Sequence, residues 1–145
     1  MELTSKAFSD GEKIPAKYTA DGENISPPFE INNAPREAGC YALISDDPDA
    51  PGGTWVHWVI WNIPAGVSSL EEGQTPPGIR GKNDFGNLKY GGPAPPSGTH
   101  RYYFKLYALD SELDLPEGST KEELLEVMDG HVIDSAELMG TYSRQ

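Results

Sequence analysis

Two of the three histidines in this 145-residue chain lie where an imidazole could hold a ligand or transfer a proton. His57 lies in the middle of an aromatic segment, and His100 ends a segment rich in proline and glycine. Because side chains alternate along a strand, His57 is expected to share a face with Trp55, Val59 and Trp61. Each histidine adjoins a rigid loop, and function concentrates on loops that a sheet holds in place. The pair is therefore a candidate binding site.

The same alternation places His100 on one side with Tyr102 and Phe104, so both imidazoles are expected in aromatic surroundings. A single strand histidine is more often a core residue that hydrogen-bonds to backbone, and this structural interpretation stays open. The third histidine, His131, follows a predicted helix and is interpreted as a capping or surface residue.

Carboxylates occur in the segment Asp47–Pro51, where prolines fix the backbone on either side of Asp49. One interpretation is a turn in which the aspartates bond to their own backbone. In another, a carboxylate beside an imidazole fixes the tautomer and leaves the second ring nitrogen free for a ligand.

The segment Gly91–Gly98 combines glycines with three prolines. Its glycines permit close backbone approach and are expected to expose amide N–H groups that could bind an anion. It lacks the lysine of a phosphate-binding loop, so nucleotide hydrolysis is not predicted.

Other chemistries find less support in the sequence. The chain has no Gly-x-Ser-x-Gly motif, and Cys40 lies in an apolar run where a thiol is usually inert. Neither His-x-His nor His-Glu-x-x-His occurs, so a metal would need His57, His100 and an aspartate from three separate segments. We predict no metal and no cofactor.

Composition bounds the class of protein. Eleven basic and 23 acidic residues give a net charge of −12, which opposes contact with nucleic acids and anionic membranes. The longest apolar run is far shorter than a membrane span, and no signal peptide is recognisable. We expect a single cytoplasmic domain over residues 1–145, without integral membrane association.

Three runs of aromatic and β-branched residues predict strands at Cys40–Ser45, Trp55–Ile63 and Arg101–Leu109. The second run is apolar on both faces, which predicts a central strand covered on both sides. Pro-rich loops are expected at 46–53 and 90–98. This spacing predicts an all-β sandwich or barrel.

One helix is predicted after residue 118. Ser119 is the expected N-cap, with Glu122 as its capping-box partner, and Gly130 ends the helix. The residues that recur at helical spacing on its apolar face are Leu124, Leu125 and Met128.

Five segments in the same order resemble the phosphatidylethanolamine-binding protein family, which includes Raf kinase inhibitor protein. They are Ile14–Pro28, Asp47–Pro51, Trp55–Pro64, Gly91–Tyr102 and Glu137–Tyr142. The last of them is similar to the shorter bacterial and archaeal branch of that family.

The resemblance implies a mainly β, sandwich-like fold around a central sheet, with one or two short helices. It also implies a small pocket for phosphate, phosphorylated head groups or acetate-like anions. The ligand-binding residues that it implies are Asp47, Asp49, Trp55, His57, Pro95, Pro96, His100 and Tyr102.

We therefore expect a non-enzymatic module that binds a small anion and regulates a protein target, such as a kinase or protease. Its prokaryotic relatives suggest a homodimer. The alternative is a hydrolase that uses His57, His100 and Asp47 for acid–base chemistry on a phosphoester. Because an imidazole ordinarily titrates near pH 6.5, anion affinity is expected to rise as the pH falls toward 6.

Overall fold

A five-stranded antiparallel sheet forms the central layer of the computed structural model, which describes residues 1–144. A three-stranded sheet covers one of its faces, and a helix with its preceding loop covers the other. The central sheet has the order β6-β4-β3-β7-β8, and the small sheet has the order β1-β2-β5. The elements are β1 (Glu2–Thr4), a 3-10 helix (Ala16–Tyr18), β2 (Phe29–Asn32), β3 (Cys40–Asp47), β4 (Trp55–Pro64), β5 (Ser69–Leu70), β6 (Ile79–Arg80), β7 (Thr99–Leu109), α1 (Lys121–Met128) and β8 (Val132–Ser143).

All three predicted strands are present, and the predicted sandwich-like architecture is confirmed. β3 extends two residues beyond the predicted end, so Asp46 and Asp47 are strand residues rather than loop residues. Asp46 pairs with Tyr103 and Asp47 with Trp55 on the neighbouring strands. The loop is therefore shorter than predicted, and pairing with the neighbouring strands fixes the backbone of Asp46 and Asp47.

The core divides, within the described residues, into two clusters separated by the central sheet. The first cluster lies between the two sheets and includes Phe29 and Phe104. The second lies between the central sheet and α1 and includes Trp61 and Leu124. β4 contributes to both clusters, which confirms the prediction of a strand covered on both faces.

β4 carries an extra residue at His57. Val56 pairs with Asp46 and Trp58 pairs with Ser45, so one step along β3 spans two steps along β4. Such a bulge interrupts the regular alternation of side chains. His57 and Trp58 consequently lie on the same side of the sheet.

The predicted face of His57 is therefore wrong in part. Val59 and Trp61 belong to the cluster beneath α1, whereas the His57 ring lies 5.3 Å from the ring of Tyr102, a member of the other cluster. Trp55 does remain beside His57, since both line the same cavity. The prediction assumed that side chains alternate uniformly along the strand, and it therefore missed the bulge.

The helix is confirmed, but its cap is displaced by one residue. Thr120 is the N-cap, and its hydroxyl accepts the Glu123 N–H while the Glu123 carboxylate accepts the Thr120 N–H. Ser119 instead donates to the carbonyl of Pro116 at 2.7 Å. Leu125, predicted on the apolar face, is exposed.

Gly130 follows the C-cap of α1 with a φ of 84°, the left-handed conformation predicted for it. α1 has eight residues, and no helix within residues 1–144 combines the length and apolar character that a membrane crossing requires.

We predict that Glu123→Ala lowers the free energy of unfolding by about 0.5–1 kcal/mol, because it removes the carboxylate half of the capping box. Glu122→Ala is the matched control, since it also removes a first-turn carboxylate near the helix dipole. Urea unfolding of both variants measures the difference. An equal loss in the two variants would contradict the assigned cap.

Candidate functional site

A cavity of about 270 Å³ opens at one end of the central sheet, where β3 ends and β4 and β7 begin. The bulge in β4 directs the His57 side chain to this cavity, and the start of β7 brings His100 to it. Seven of the eight predicted site residues line it: Asp47, Trp55, His57, Pro95, Pro96, His100 and Tyr102. The structure therefore brings together residues that lie up to 55 positions apart in the chain.

Asp49 is the exception, because it does not line the cavity. Its carboxylate accepts two hydrogen bonds from the Arg101 guanidinium, at 2.9 and 2.8 Å, and one from the Arg101 N–H at 2.9 Å. These bonds lower the pKa of Asp49 to about 2. Asp49 thus fixes the loop to the start of β7.

Asp47 holds His100 in a fixed orientation. The His100 Nδ1 lies 2.6 Å from Oδ2 of Asp47, and Oδ1 of the same carboxylate accepts the Asp49 N–H at 2.7 Å. Both partners of the imidazole–carboxylate pair are buried. A carboxylate that accepts both bonds requires hydrogen on Nδ1, so Nε2 is the ring nitrogen left for the cavity.

His57 is oriented by backbone rather than by a carboxylate. Its Nδ1 lies 2.6 Å from the Gly91 carbonyl oxygen, which can only accept, so Nδ1 carries the proton. The Gly91 N–H donates in turn to the His57 carbonyl at 3.1 Å. Burial lowers the pKa of His57 below its ordinary value of 6.5. In its neutral form, His57 presents an unprotonated Nε2 as a hydrogen-bond acceptor.

The glycine-rich segment does not use its first amides as predicted. Gly91 N–H bonds to His57, and Gly92 N–H donates to Oδ1 of Asn24 at 2.8 Å. A Cβ at Gly92 would lie 2.4 Å from the Tyr18 carbonyl oxygen, so this position requires glycine. These two N–H groups hold the glycine-rich segment in place and are not available to an anion.

Phe85 is a cavity residue that sequence reasoning missed. Its ring meets those of Trp55 and His57 edge-on at 5.5 and 5.3 Å. Asn83 supports it, since the buried side chain accepts the Phe85 N–H and donates to the His57 carbonyl. The available signal was Asn83-Asp84-Phe85-Gly86, an aromatic residue in a turn-forming segment.

Tyr102 supplies the aromatic floor between the two histidines. Its ring lies 5.3 Å from His57 and 6.4 Å from His100. Its hydroxyl is buried, and no hydrogen-bond partner for it exists among residues 1–144. Burial, and secondly the charge of Asp47, raise the pKa of Tyr102, so the phenol keeps its proton.

The lining combines aromatic and proline surface with few polar groups. No Lys or Arg of the described chain lines the cavity, and Asp47 is its one carboxylate. No group of three His, Cys, Asp or Glu side chains in residues 1–144 is arranged to hold a metal ion. The polar side chains in the lining are two imidazoles, one carboxylate and the phenol of Tyr102, whose hydroxyl is buried.

A family model described as phosphatidylethanolamine-binding protein matches residues 4–143. This chain belongs to that family. Among its relatives, a UPF0098 protein of Methanothermobacter thermautotrophicus is 54% identical over 150 residues, covering 99% of both chains. A UPF0098 protein of Chlamydia trachomatis is 50% identical, again over 99% of both.

Solved structures of the phosphatidylethanolamine-binding protein family share the fold. The homologue CT736 from Chlamydia trachomatis has a TM-score of 0.96 at 49% identity, covering 99% of this chain and 97% of that one. YbcL of Escherichia coli, described as a member of the mammalian family, has a TM-score of 0.92 at 30% identity, with coverage of 99% and 98%. The resemblance seen in the sequence motifs is thereby confirmed.

We predict that His57 of the free protein is neutral at pH 6.5 as the Nδ1–H tautomer and titrates below that pH, because burial disfavours its charged form. Long-range proton–nitrogen NMR correlations report both properties, with His57→Gln to assign the signals. Titration at or above pH 6.5, or an Nε2–H tautomer, would contradict the assigned geometry.

Proposed function

We propose that the protein is a non-enzymatic binding module that recognises a small anionic group, phosphate or a phosphorylated head group, in the cavity between His57 and His100. The observation that carries the proposal is the orientation of these rings. Nδ1 of each is held at 2.6 Å by a fixed acceptor, which reserves both Nε2 atoms for one ligand. Preorganised groups lose little entropy when a ligand binds.

The surroundings support a compact ligand. Aromatic and proline side chains form most of the cavity wall, which lowers the local dielectric constant around the imidazoles. Hydrogen bonds are electrostatically stronger in such a low-dielectric site. A volume of about 270 Å³ accommodates a phosphoryl group with a short substituent. Regulation of a kinase or protease through a phosphorylated group is the wider prediction, and it rests on this recognition.

We predict that phosphate and acetate bind more tightly at pH 6 than at pH 7.5, because protonation turns Nε2 into a charged donor. Because burial lowers the pKa of His57, the gain in anion affinity from protonating this ring continues below pH 6.5. Isothermal titration calorimetry at both pH values measures the change. An affinity independent of pH from 6 to 8 would contradict the role of the imidazoles.

Replacing both His57 and His100 by alanine is expected to weaken phosphate binding at least tenfold, since each hydrogen bond to a charged group contributes about 1.5–3 kcal/mol. His131→Ala is the matched control, because His131 bonds Asp110 away from the cavity. Thermal unfolding monitors the fold of each variant. A large loss of stability with unchanged binding would support the structural interpretation of the histidines instead.

A hydrolase is the second candidate, and the Asp47–His100 pair favours it. A carboxylate that orients an imidazole is an arrangement used in general base catalysis. No Ser, Thr or Cys from the described residues lines the cavity, so the nucleophile would be water. Turnover of p-nitrophenyl phosphate that disappears in His100→Ala would establish the enzyme, whereas saturable binding without turnover supports the binding module.

A further inference from the structure

We propose that the cavity selects phosphate monoesters over sulfate esters because a bound ligand must bring or acquire a proton. The inference rests on the proposed function, since it specifies which anions that site accepts. It follows from the directions of the hydrogen bonds around the two imidazoles rather than from the size of the cavity.

The two imidazoles present acceptors, not donors, in their neutral forms. A carbonyl oxygen and a carboxylate oxygen each take the proton of one Nδ1, so both Nε2 atoms carry lone pairs. No hydrogen bond to either Nε2 is formed within residues 1–144. A fully deprotonated anion has no proton to share with them. A protonated phosphate monoester has a P–OH that donates to such a lone pair.

Acidic groups increase this demand for a proton. Asp47 lines the cavity, while the charges of Asp46 and Asp84 also act on His57. Asp49 lies close enough to His100 for their charges to interact. Asp46 is paired with Lys105 and Lys121, and Asp49 is paired with Arg101. Asp47 and Asp84 are therefore the carboxylates that repel an incoming anion unless a proton lies between them.

The guanidinium groups of Arg101 and Arg144 are not free to neutralise the negative charge near the cavity. Arg101 is bound in a bidentate pair to Asp49, and Arg144, whose charge acts on Tyr102, bonds Asp21 at 3.0 Å. Neither lines the cavity. The Tyr102 hydroxyl is neutral and buried, so it does not offset the charge either.

Methyl phosphate and methyl sulfate are the matched probes for this inference. Their singly charged forms have nearly the same shape and differ by one acidic hydrogen. The second pKa of a phosphomonoester is near 6, so the dianion dominates at pH 7.5, whereas a sulfate monoester stays unprotonated. Binding of methyl phosphate must therefore take up about one proton from the buffer.

Calorimetric titrations at pH 7.5 in two buffers of different ionisation enthalpy measure both affinity and proton uptake. We expect the singly charged form of methyl phosphate, which is about 3% of the total at pH 7.5, to bind at least about tenfold more tightly than methyl sulfate, the effect of leaving one buried acceptor unsatisfied. We also expect uptake of close to one proton per methyl phosphate bound. The preference for the singly charged phosphate ester should shrink as the pH falls, because a protonated ring can donate to either anion.

The variant His57→Gln places a carboxamide, which can donate, where an imidazole lone pair had been. The ratio of the two affinities should fall toward one, while the control His131→Gln keeps the wild-type ratio. Equal affinities of the wild type for the singly charged forms of the two esters, or methyl phosphate binding without proton uptake, would overturn the inference and leave the proposed function standing. Failure of both esters to bind would overturn both.

Discussion

The site depends on one irregularity, the extra residue that β4 inserts at His57. In a regular strand His57 would face α1 with Val59 and Trp61, and its ring could not meet Tyr102. The bulge turns the ring toward the cavity and places its Nδ1 against the Gly91 carbonyl. A local change in register therefore decides whether the two histidines form one site, consistent with the frequent use of bulges beside functional residues.

The rest of the cavity keeps the rings in place. A buried carboxylate fixes His100, a buried amide at Asn83 fixes the loop against His57, and glycine at position 92 permits the close approach of the proline-rich wall. Nδ1 of each histidine is satisfied on the side away from the cavity, so the unused hydrogen-bonding capacity of both rings lies at Nε2. The arrangement resembles a preorganised binding site more closely than a set of core hydrogen bonds.

Much of this could be predicted from sequence, and the failures have physical causes. The three long strands follow from aromatic and β-branched runs, and the proximity of His57 to His100 follows from the family motifs. The bulge could not be predicted, because nothing in the residue types around His57 marks a local change of register. The shift from Ser119 to Thr120 as N-cap arose because both residues have a glutamate three positions later. Asp49 was assigned to the ligand because a sequence does not show that Arg101 already occupies its carboxylate.

The most direct test is a crystal structure of the protein grown with methyl phosphate at pH 6. We expect a phosphoryl group between His57 and His100, with an oxygen at a hydrogen-bond distance of about 2.6–3.2 Å from Nε2 of each. The contacts of the two Nδ1 atoms with Gly91 and Asp47 should be unchanged. A phosphoryl group bound elsewhere, or either ring turned so that Nδ1 meets the ligand, would contradict the account.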